Sequence, residues 1–326
     1  MSGYPENRLQ RLRKTPTMRN LVRETTLSVN DLIFPLFVTH GKNIKAEIES
    51  MPGNYQISLD NLPEEIEEIT SLGIPGILLF GLPEKRDKSG SSAYFRHGIV
   101  QEAVRVAKET NPNLLVITDL CLCGYTTHGH CGILNGANID NDKTLDKYRE
   151  IALSQASAGS DIIAPSGMMD GQVGIIRKAL DTNGYINTIV MGYSAKYASS
   201  FYGPFRAASD SSPSFGDRKS YQIDPANSRM AMREIQQDVD EGADIIMIKP
   251  ALAYLDVINR TMETYNHPIA AYNVSAEFSM VKAGIAAGIL DAQPIILEIL
   301  TSIKRAGADI IISYHAKEAA RWLTQG

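Results

Sequence analysis

The chain of 326 residues has 44% hydrophobic and 21% charged residues, a composition that predicts a globular protein and excludes intrinsic disorder and fibrous repeats. Its 32 Lys and Arg are outnumbered by 37 Asp and Glu, which argues against a general nucleic-acid binder, since such a protein needs a basic face. Apolar runs stay well short of the ~20 residues of a membrane span, and the first residues lack the features of a signal peptide. We therefore expect a soluble cytoplasmic protein that acts on a small molecule, with no nucleic-acid or membrane partner.

Residues 1–30 differ in composition from the rest of the chain. They have too few apolar positions to form a core, and their basic side chains are Arg8, Arg11, Arg13, Lys14, Arg19 and Arg23. We expect an extended N-terminal arm that contacts another subunit, followed by a single folded domain over residues 31–326.

The folded domain contains recurring short runs rich in Ile, Val and Leu. Because these runs lack polar alternation, they predict strands that are buried on both faces, as in a parallel sheet. The eight predicted strands are Leu32–Val38, Gly76–Gly81, Leu114–Leu120, Asp161–Pro165, Thr188–Tyr193, Asp244–Lys249, Pro268–Asn273 and Asp309–Tyr314.

Amphipathic segments of helical periodicity separate most of these runs. They are Leu62–Ser71, Ile99–Lys108, Leu145–Ala158, Val173–Leu180, Ser228–Glu241, Leu255–Tyr265, Phe278–Ala287 and Ile295–Ala306. Three of the predicted helices end in similar four-residue stretches, in which a left-handed glycine can stop the helix. They are Ala158–Asp161, Glu241–Asp244 and Ala306–Asp309. No Gly-x-Gly-x-x-Gly follows the first strand, as a doubly wound dinucleotide fold would require. The pattern predicts an α/β fold, a (β/α)8 TIM barrel with an extended N-terminal arm.

One connection is much longer than the usual loop between a strand and its helix. Residues 199–222, after the fifth strand, contain three Phe and two Tyr. A surface insertion is one interpretation. Aromatic residues on the active face of a barrel favour the other, a lid over a substrate site.

Polar residues occupy the carboxyl ends of the predicted strands, where barrel enzymes carry their active sites. They are Asp119, Ser166, Lys196, Lys249, Ser275 and Tyr314. Desolvation lowers the pKa of a lysine, and a second cation nearby lowers it further, which leaves a neutral amine that can form a Schiff base with a carbonyl. The alternative is that Lys196 or Lys249 simply extends its ammonium to solvent.

The three cysteines, Cys121, Cys123 and Cys131, lie within eleven residues of one another. In a cytoplasmic protein such a cluster favours a metal over disulfides. Three thiolates can hold one Zn²⁺ and leave the fourth position to water or substrate, as a catalytic site requires. His128 or His130 could instead complete a closed structural site, and three unliganded thiols are a further alternative.

The sequence resembles the porphobilinogen synthase family, also called delta-aminolevulinic acid dehydratase, over nearly its whole length. The similar stretches are, in chain order, residues 119–123, 129–132, 164–171, 201–206, 247–256, 272–275 and 313–314. The resemblance implies an enzyme that joins two 5-aminolevulinate molecules, with loss of two waters, into porphobilinogen, the pyrrole precursor of haem and chlorophyll. It implies that Lys249 forms the Schiff base, that Lys196 assists or binds the second substrate, and that Asp119 is a third catalytic residue.

The resemblance also implies binding residues, metals and an assembly. Arg206, Arg218 and Gln222 would hold one substrate, and Ser275 and Tyr314 the carboxylate of the other, with Phe205, Tyr272 and Ser166 as further binding residues. The cysteines would hold zinc, and Glu234 would hold a stimulating Mg²⁺ at an allosteric site. The assembly would be a homo-octamer in which the N-terminal arms contact neighbouring subunits.

Three positions depart from the family pattern: Gly167 replaces the usual Asp, Gln172 replaces a common Arg, and His315 replaces a frequent second Tyr. The residues alone leave two other interpretations of the function open. Another Schiff-base barrel lyase or aldolase would need a phosphate site on the last two strands, where no glycine-rich cradle is present. A non-catalytic zinc-binding protein would not need either lysine.

Overall fold

The computed structural model describes Gly3 and residues 6–324. Within this part of the chain, eight parallel strands form the barrel wall: β1 (Leu32–Thr39), β2 (Gly76–Leu82), β3 (Leu115–Leu120), β4 (Ile162–Pro165), β5 (Ile189–Lys196), β6 (Ile245–Lys249), β7 (Ile269–Asn273) and β8 (Ile310–Ser313). Each strand pairs with the next in sequence, and β8 pairs with β1 through Ile311 and Leu32, which closes the barrel. The predicted TIM barrel is confirmed, and every predicted strand is found with small differences at its ends.

The strands lack polar alternation because both of their faces are buried. In β1, Leu32 and Phe34 pack between the sheet and the helices, whereas Ile33 and Phe37 fill the barrel interior. Successive side chains of a strand point to opposite faces, so each strand contributes to two apolar cores.

The helices surround the barrel. They are α1 (Leu62–Ser71), α2 (Ile99–Thr110), α3 (Asn141–Ala158), α4 (Gln172–Thr182), α5 (Ser228–Asp240), α6 (Leu255–Thr264), α7 (Ser275–Ala286), α8 (Ala292–Ala306) and α9 (Ala316–Thr324). The eight predicted helices are all present, and two of them, α7 and α8, lie between β7 and β8. Helix α9 was not among the predicted segments. Gly159, Gly242 and Gly307, which follow α3, α5 and α8, have φ of 103°, 96° and 120°, as predicted for helix-stopping glycines.

The segment before β1 packs little against the barrel. It contains a 3-10 helix, Leu9–Arg13, and a short α-helix, Pro16–Leu21, and neither has a buried residue. Leu9 and Leu21 are 72% and 76% exposed. The subunit contact expected of this arm stays a prediction. Over residues 6–324, no helix is long and apolar enough to cross a bilayer.

Candidate active site

Lys249 is directed into the barrel by strand geometry. Ile245 and Met247 of β6 face the barrel interior, and Lys249 lies two residues further along the same face. Its side chain is only 5% exposed. The amine therefore lies inside the carboxyl end of the barrel and does not extend to solvent.

An irregularity in β5 places Lys196 beside Lys249. Between the pairs Gly192 with Ile246 and Ala195 with Ile248, β5 has one residue more than β6, so the strand contains a bulge. Tyr193 within the bulge faces the interior, Ala195 after it faces the helices, and Lys196 is aligned with Lys249. Without this extra residue, Tyr193 and Lys196 would point to opposite faces.

Aromatic rings surround the amine of Lys249. Its Nζ lies 4.0 Å from the ring centre of Tyr272, 5.1 Å from that of Tyr193 and 5.2 Å from that of Phe205. Burial, and then the positive charge of Lys196, lower the pKa of Lys249 to about 7 against the opposing effect of Asp119. A large share of this lysine is therefore neutral, and thus nucleophilic, near neutral pH.

Two further charged residues, Lys196 and Asp119, lie near Lys249. The Nζ of Lys196 donates a hydrogen bond to the carbonyl oxygen of Ser166 at the end of β4. Burial raises the pKa of Asp119, although Lys196 and Lys249 both act to lower it. Asp119 is thus a carboxyl group of perturbed pKa between two lysines, as is common at functional sites.

The three cysteines meet directly beyond β3. Their Sγ atoms all lie within 4.8 Å of one another, and the Sγ atoms of Cys121 and Cys123 are 3.4 Å apart. The thiols of Cys121 and Cys123 lower the pKa of the Cys131 thiol well below its usual value through hydrogen bonds, and Arg218 lowers it further. Three buried sulfur ligands at this spacing fit a zinc ion with three protein ligands.

The two histidines of this loop do not join the cysteines. His128 Nδ1 accepts a hydrogen bond from the backbone N–H of His130, and the ring nitrogens of His130 contact Tyr221 Oη and the carbonyl oxygen of Phe215. Over the described residues, the three cysteines are the one group with metal-binding spacing. The alternative of a closed site completed by His128 or His130 therefore finds no support.

Residues 199–222 fold over the carboxyl end of the barrel. The segment contains an unpredicted short helix, Gly203–Ala208, and the backbone N–H of Phe205 donates to Ser275 Oγ at 3.0 Å. Gly129 of the cysteine loop, with φ of 71°, touches the same segment, because a Cβ there would lie 2.3 Å from the carbonyl oxygen of Ser212. Between this cover, Asp119 and the cysteines, a cavity of about 20 Å³ remains, which is room for about one water.

Several buried polar atoms of residues 199–222 have no partner. Within the described part of the chain, Arg206 Nε, Arg218 Nε and both side-chain amide atoms of Gln222 are buried and make no hydrogen bond. Arg218 also donates to the carbonyl oxygens of Gly129 and Ser211 at 2.9 and 2.6 Å. Burial and then Arg218 lower the pKa of Arg206. Two guanidinium groups with spare donors match a carboxylate.

A second polar group lies on β7 and β8. Tyr272 Oη and Tyr314 Oη are 3.0 Å apart, and both rings are buried. Ser275, at the start of α7, accepts from Phe205 and donates to the carbonyl oxygen of Phe201 at 3.3 Å. Ser275 thus binds the segment that covers the barrel, and the two tyrosine hydroxyls lie inside the carboxyl end of the barrel.

Glu234 lies away from this site, on α5. It lines a surface cavity of about 460 Å³ that also contains Asp170, Lys219 and Tyr221. Burial, and then the charge of Asp170, raise its pKa. The structure thus places the residue predicted for magnesium on an outer helix, away from the lysines and cysteines, and two aspartates, Asp170 and Asp224, line the same cavity.

Sequence reasoning missed two residues of this region. Tyr193 lies under both lysines, with its ring centre 5.1 Å from Lys249 Nζ and 5.4 Å from Lys196 Nζ. Tyr148 is fully buried on α3 and contacts the cysteine loop. A tyrosine in an apolar strand or on the inner face of a helix has the same pattern as a core tyrosine, so the sequence contains no signal that singles either of them out.

The barrel, with two buried lysines and a cysteine cluster at its carboxyl face, has the architecture of a TIM-barrel enzyme, because barrel enzymes carry their active sites at this face. The family model "Delta-aminolevulinic acid dehydratase" matches residues 6–322, and the chain belongs to that family. It is a hydro-lyase that condenses two 5-aminolevulinate molecules into porphobilinogen, a step of porphyrin biosynthesis. This membership confirms the resemblance and excludes the aldolase and non-catalytic alternatives.

Known relatives agree with this assignment. The chain is 55% identical to the delta-aminolevulinic acid dehydratase of Synechococcus elongatus over 324 residues, which cover 98% of this chain and 99% of that protein. It is 51% identical to the Bacillus subtilis enzyme over 319 residues, 98% of each chain. Among solved structures, the Toxoplasma gondii enzyme in complex with its reaction product porphobilinogen matches with a TM-score of 0.96 and 41% identity, covering 98% of this chain and 92% of that one.

Proposed function

We propose that Lys249 is the amine that forms the Schiff base with one 5-aminolevulinate molecule. The observation that carries this proposal is the burial of Lys249 beside Lys196, which gives the amine a pKa of about 7. The neutral amine adds to the substrate ketone, and loss of one water then gives an iminium. An iminium withdraws electrons from the neighbouring carbon more strongly than a ketone does.

Lys196 and Asp119 support this step. Lys196 binds or activates the second substrate, because its ammonium lies in register with Lys249 and is held by Ser166. Asp119, with its raised pKa, accepts and returns the protons that the additions and eliminations move.

The substrate carboxylates bind at opposite sides of the covered space. Arg206, Arg218 and Gln222 have spare buried donors for one carboxylate. The hydroxyls of Ser275 and Tyr314 hold the other, and further binding contacts come from Phe205, Tyr272 and Ser166. Residues 199–222 act as the lid, since they carry the arginines and close the cavity.

Zinc is the metal that best fits Cys121, Cys123 and Cys131, because the cluster supplies three soft ligands. When bound, zinc supplies Lewis acidity toward a carbonyl or a water. Cys121, Cys123 and Cys131 would hold the ion, and three protein ligands would leave a fourth position to water or substrate.

We also propose a magnesium site at Glu234. Mg²⁺ keeps most of its waters and needs only one or two carboxylates, and Glu234 with Asp170 nearby offers that chemistry. The ion would stimulate the enzyme from outside the active site.

The N-terminal arm, residues 1–30, serves subunit contacts in a homo-octamer, and residues 31–326 form the catalytic domain. Leu9 and Leu21 would be covered by a neighbouring subunit. We place the enzyme in the cytoplasm.

The test is the colour assay of pyrrole formation from 5-aminolevulinate, applied to the parent protein, Lys249→Ala and the exposed control Lys178→Ala. The parent and the control should form pyrrole, and Lys249→Ala should form none. Near-normal activity of Lys249→Ala would disprove the assignment of the nucleophile, although the family's reaction would stand.

A further inference from the structure

The hydroxyl of Tyr148 occupies the space next to Gly167. A Cβ built on Gly167 would lie 1.7 Å from Tyr148 Oη and 2.7 Å from Cζ of the same ring, far inside any permitted contact. Tyr148 is fully buried, so its ring cannot simply move into solvent. Gly167 is therefore the partner that Tyr148 requires, and an Asp at position 167 could not coexist with this tyrosine in this arrangement.

On its other side, Tyr148 contacts the cysteine loop, residues 121–133. Its Oη donates a hydrogen bond to the carbonyl oxygen of Cys131 at 2.7 Å. Two more hydrogen bonds link the start of α3 to the next turn of the loop, from the Ile133 N–H to Thr144 Oγ1 at 2.9 Å and from the Asp140 N–H to the Ile133 carbonyl oxygen at 2.8 Å. The start of α3 and Tyr148 thus fix the backbone from the Cys131 carbonyl to Ile133.

The three cysteines are held in different ways. Cys121 and Cys123 directly follow β3, so the barrel wall positions them. Cys131 returns to them only after a loop of seven intervening residues. Its place therefore depends on contacts made by the loop, and Tyr148 makes the contact at the cysteine itself.

We propose that Tyr148 is a positioning residue that locks Cys131 in the metal-binding arrangement, and that Gly167 is the small residue that makes room for it. This inference rests on the proposed metal site. Gly167 also follows Ser166, whose carbonyl oxygen accepts from Lys196. Tyr148 therefore contacts both the cysteine loop and the end of β4, where the Ser166 carbonyl oxygen binds Lys196.

The metal arm of the test measures zinc affinity by chelator competition, for the parent and for Tyr148→Phe. The variant keeps the ring and removes the hydrogen bond, so the zinc dissociation constant should rise roughly tenfold, as for other groups that orient metal ligands. Tyr197→Phe is the matched control, because Tyr197 is buried and donates to a carbonyl oxygen, that of Asn227, away from the cysteines. Equal affinity of the parent and Tyr148→Phe would overturn the positioning role. A parent protein that binds no zinc would instead refute the proposed metal site.

The packing arm does not depend on metal. Gly167→Ala should lower the melting temperature of the metal-free parent, since the new methyl group overlaps the Tyr148 hydroxyl. In the Tyr148→Leu background the same substitution should lower it much less. Equal losses in the two backgrounds would show that Gly167 and Tyr148 are not coupled.

Discussion

Replacing Lys196 by Met should raise the pH at which Lys249 becomes a nucleophile. An ordinary lysine, with a pKa of about 10.4, is neutral in about one molecule in 2,500 at pH 7. With a pKa of about 7, about half of Lys249 is neutral at that pH, roughly a thousandfold gain. Burial is the larger cause and survives the substitution, whereas the repulsion from Lys196 is lost.

The size of the shift follows from the spacing of the strands. Neighbouring strands lie about 4.8 Å apart, and two unit charges at about that distance repel by roughly 3 kcal/mol at an effective dielectric constant of about 20. One pKa unit corresponds to about 1.4 kcal/mol, so the midpoint should move upward by about two units. Lys196→Arg keeps the charge and should leave the midpoint near its original value.

The assay is the initial rate of reductive trapping of 5-aminolevulinate on Lys249. Cyanoborohydride is the reductant, and mass spectrometry of the Lys249 peptide quantifies the adduct from about pH 6 to pH 10, the range that brackets both expected midpoints. In the parent, the rate should rise with pH through about 7, because only the neutral amine attacks. A parent midpoint close to that of a free lysine, or a midpoint that falls in Lys196→Met, would refute the reasoning.

Three further predictions concern the metal sites and the lid. Substituting Cys121, Cys123 and Cys131 together by Ala should sharply reduce bound zinc and turnover while circular dichroism keeps the barrel signal; full zinc occupancy would place the ligands elsewhere. Arg206→Ala should raise the KM for 5-aminolevulinate and slow turnover, since a charge-assisted hydrogen bond contributes ~1.5 to 3 kcal/mol; unchanged steady-state kinetics would remove Arg206 from the binding site. Glu234→Ala should abolish stimulation by added magnesium while zinc content and trapping at Lys249 stay intact, and a parent without such stimulation would show that this site is absent.

The sequence predicts the barrel well because burial on both faces produces long apolar runs. Each of the eight runs became a strand, and the face of Lys249 follows from simple alternation with Ile245 and Met247. The cysteines could be predicted as a cluster because they lie close together in the chain, where local geometry limits their separation.

The direction of Lys196 does not follow from the alternation of side chains along a regular strand. Counting by twos from Met191 and Tyr193 places Lys196 on the helix side of the wall. A bulge reverses this, and a bulge depends on the pairing with β6, which a single strand sequence does not encode. The place of Lys196 at the carboxyl end of the neighbouring strand predicted that it lies near Lys249, and the structure aligns the two residues. Its role toward the second substrate is implied by the family resemblance and stays a prediction.

Gly167 shows the same limit for packing. As a departure from the family pattern, it looks like the loss of a carboxylate beside the second lysine. In the structure the space is filled by Tyr148, nineteen positions earlier on another element, which binds the loop of the third cysteine. Gly167 and Tyr148 lie on different elements, so the sequence alone does not show that they are in contact. Glycine at position 167 therefore leaves room for a tyrosine whose hydroxyl binds the backbone of the third cysteine.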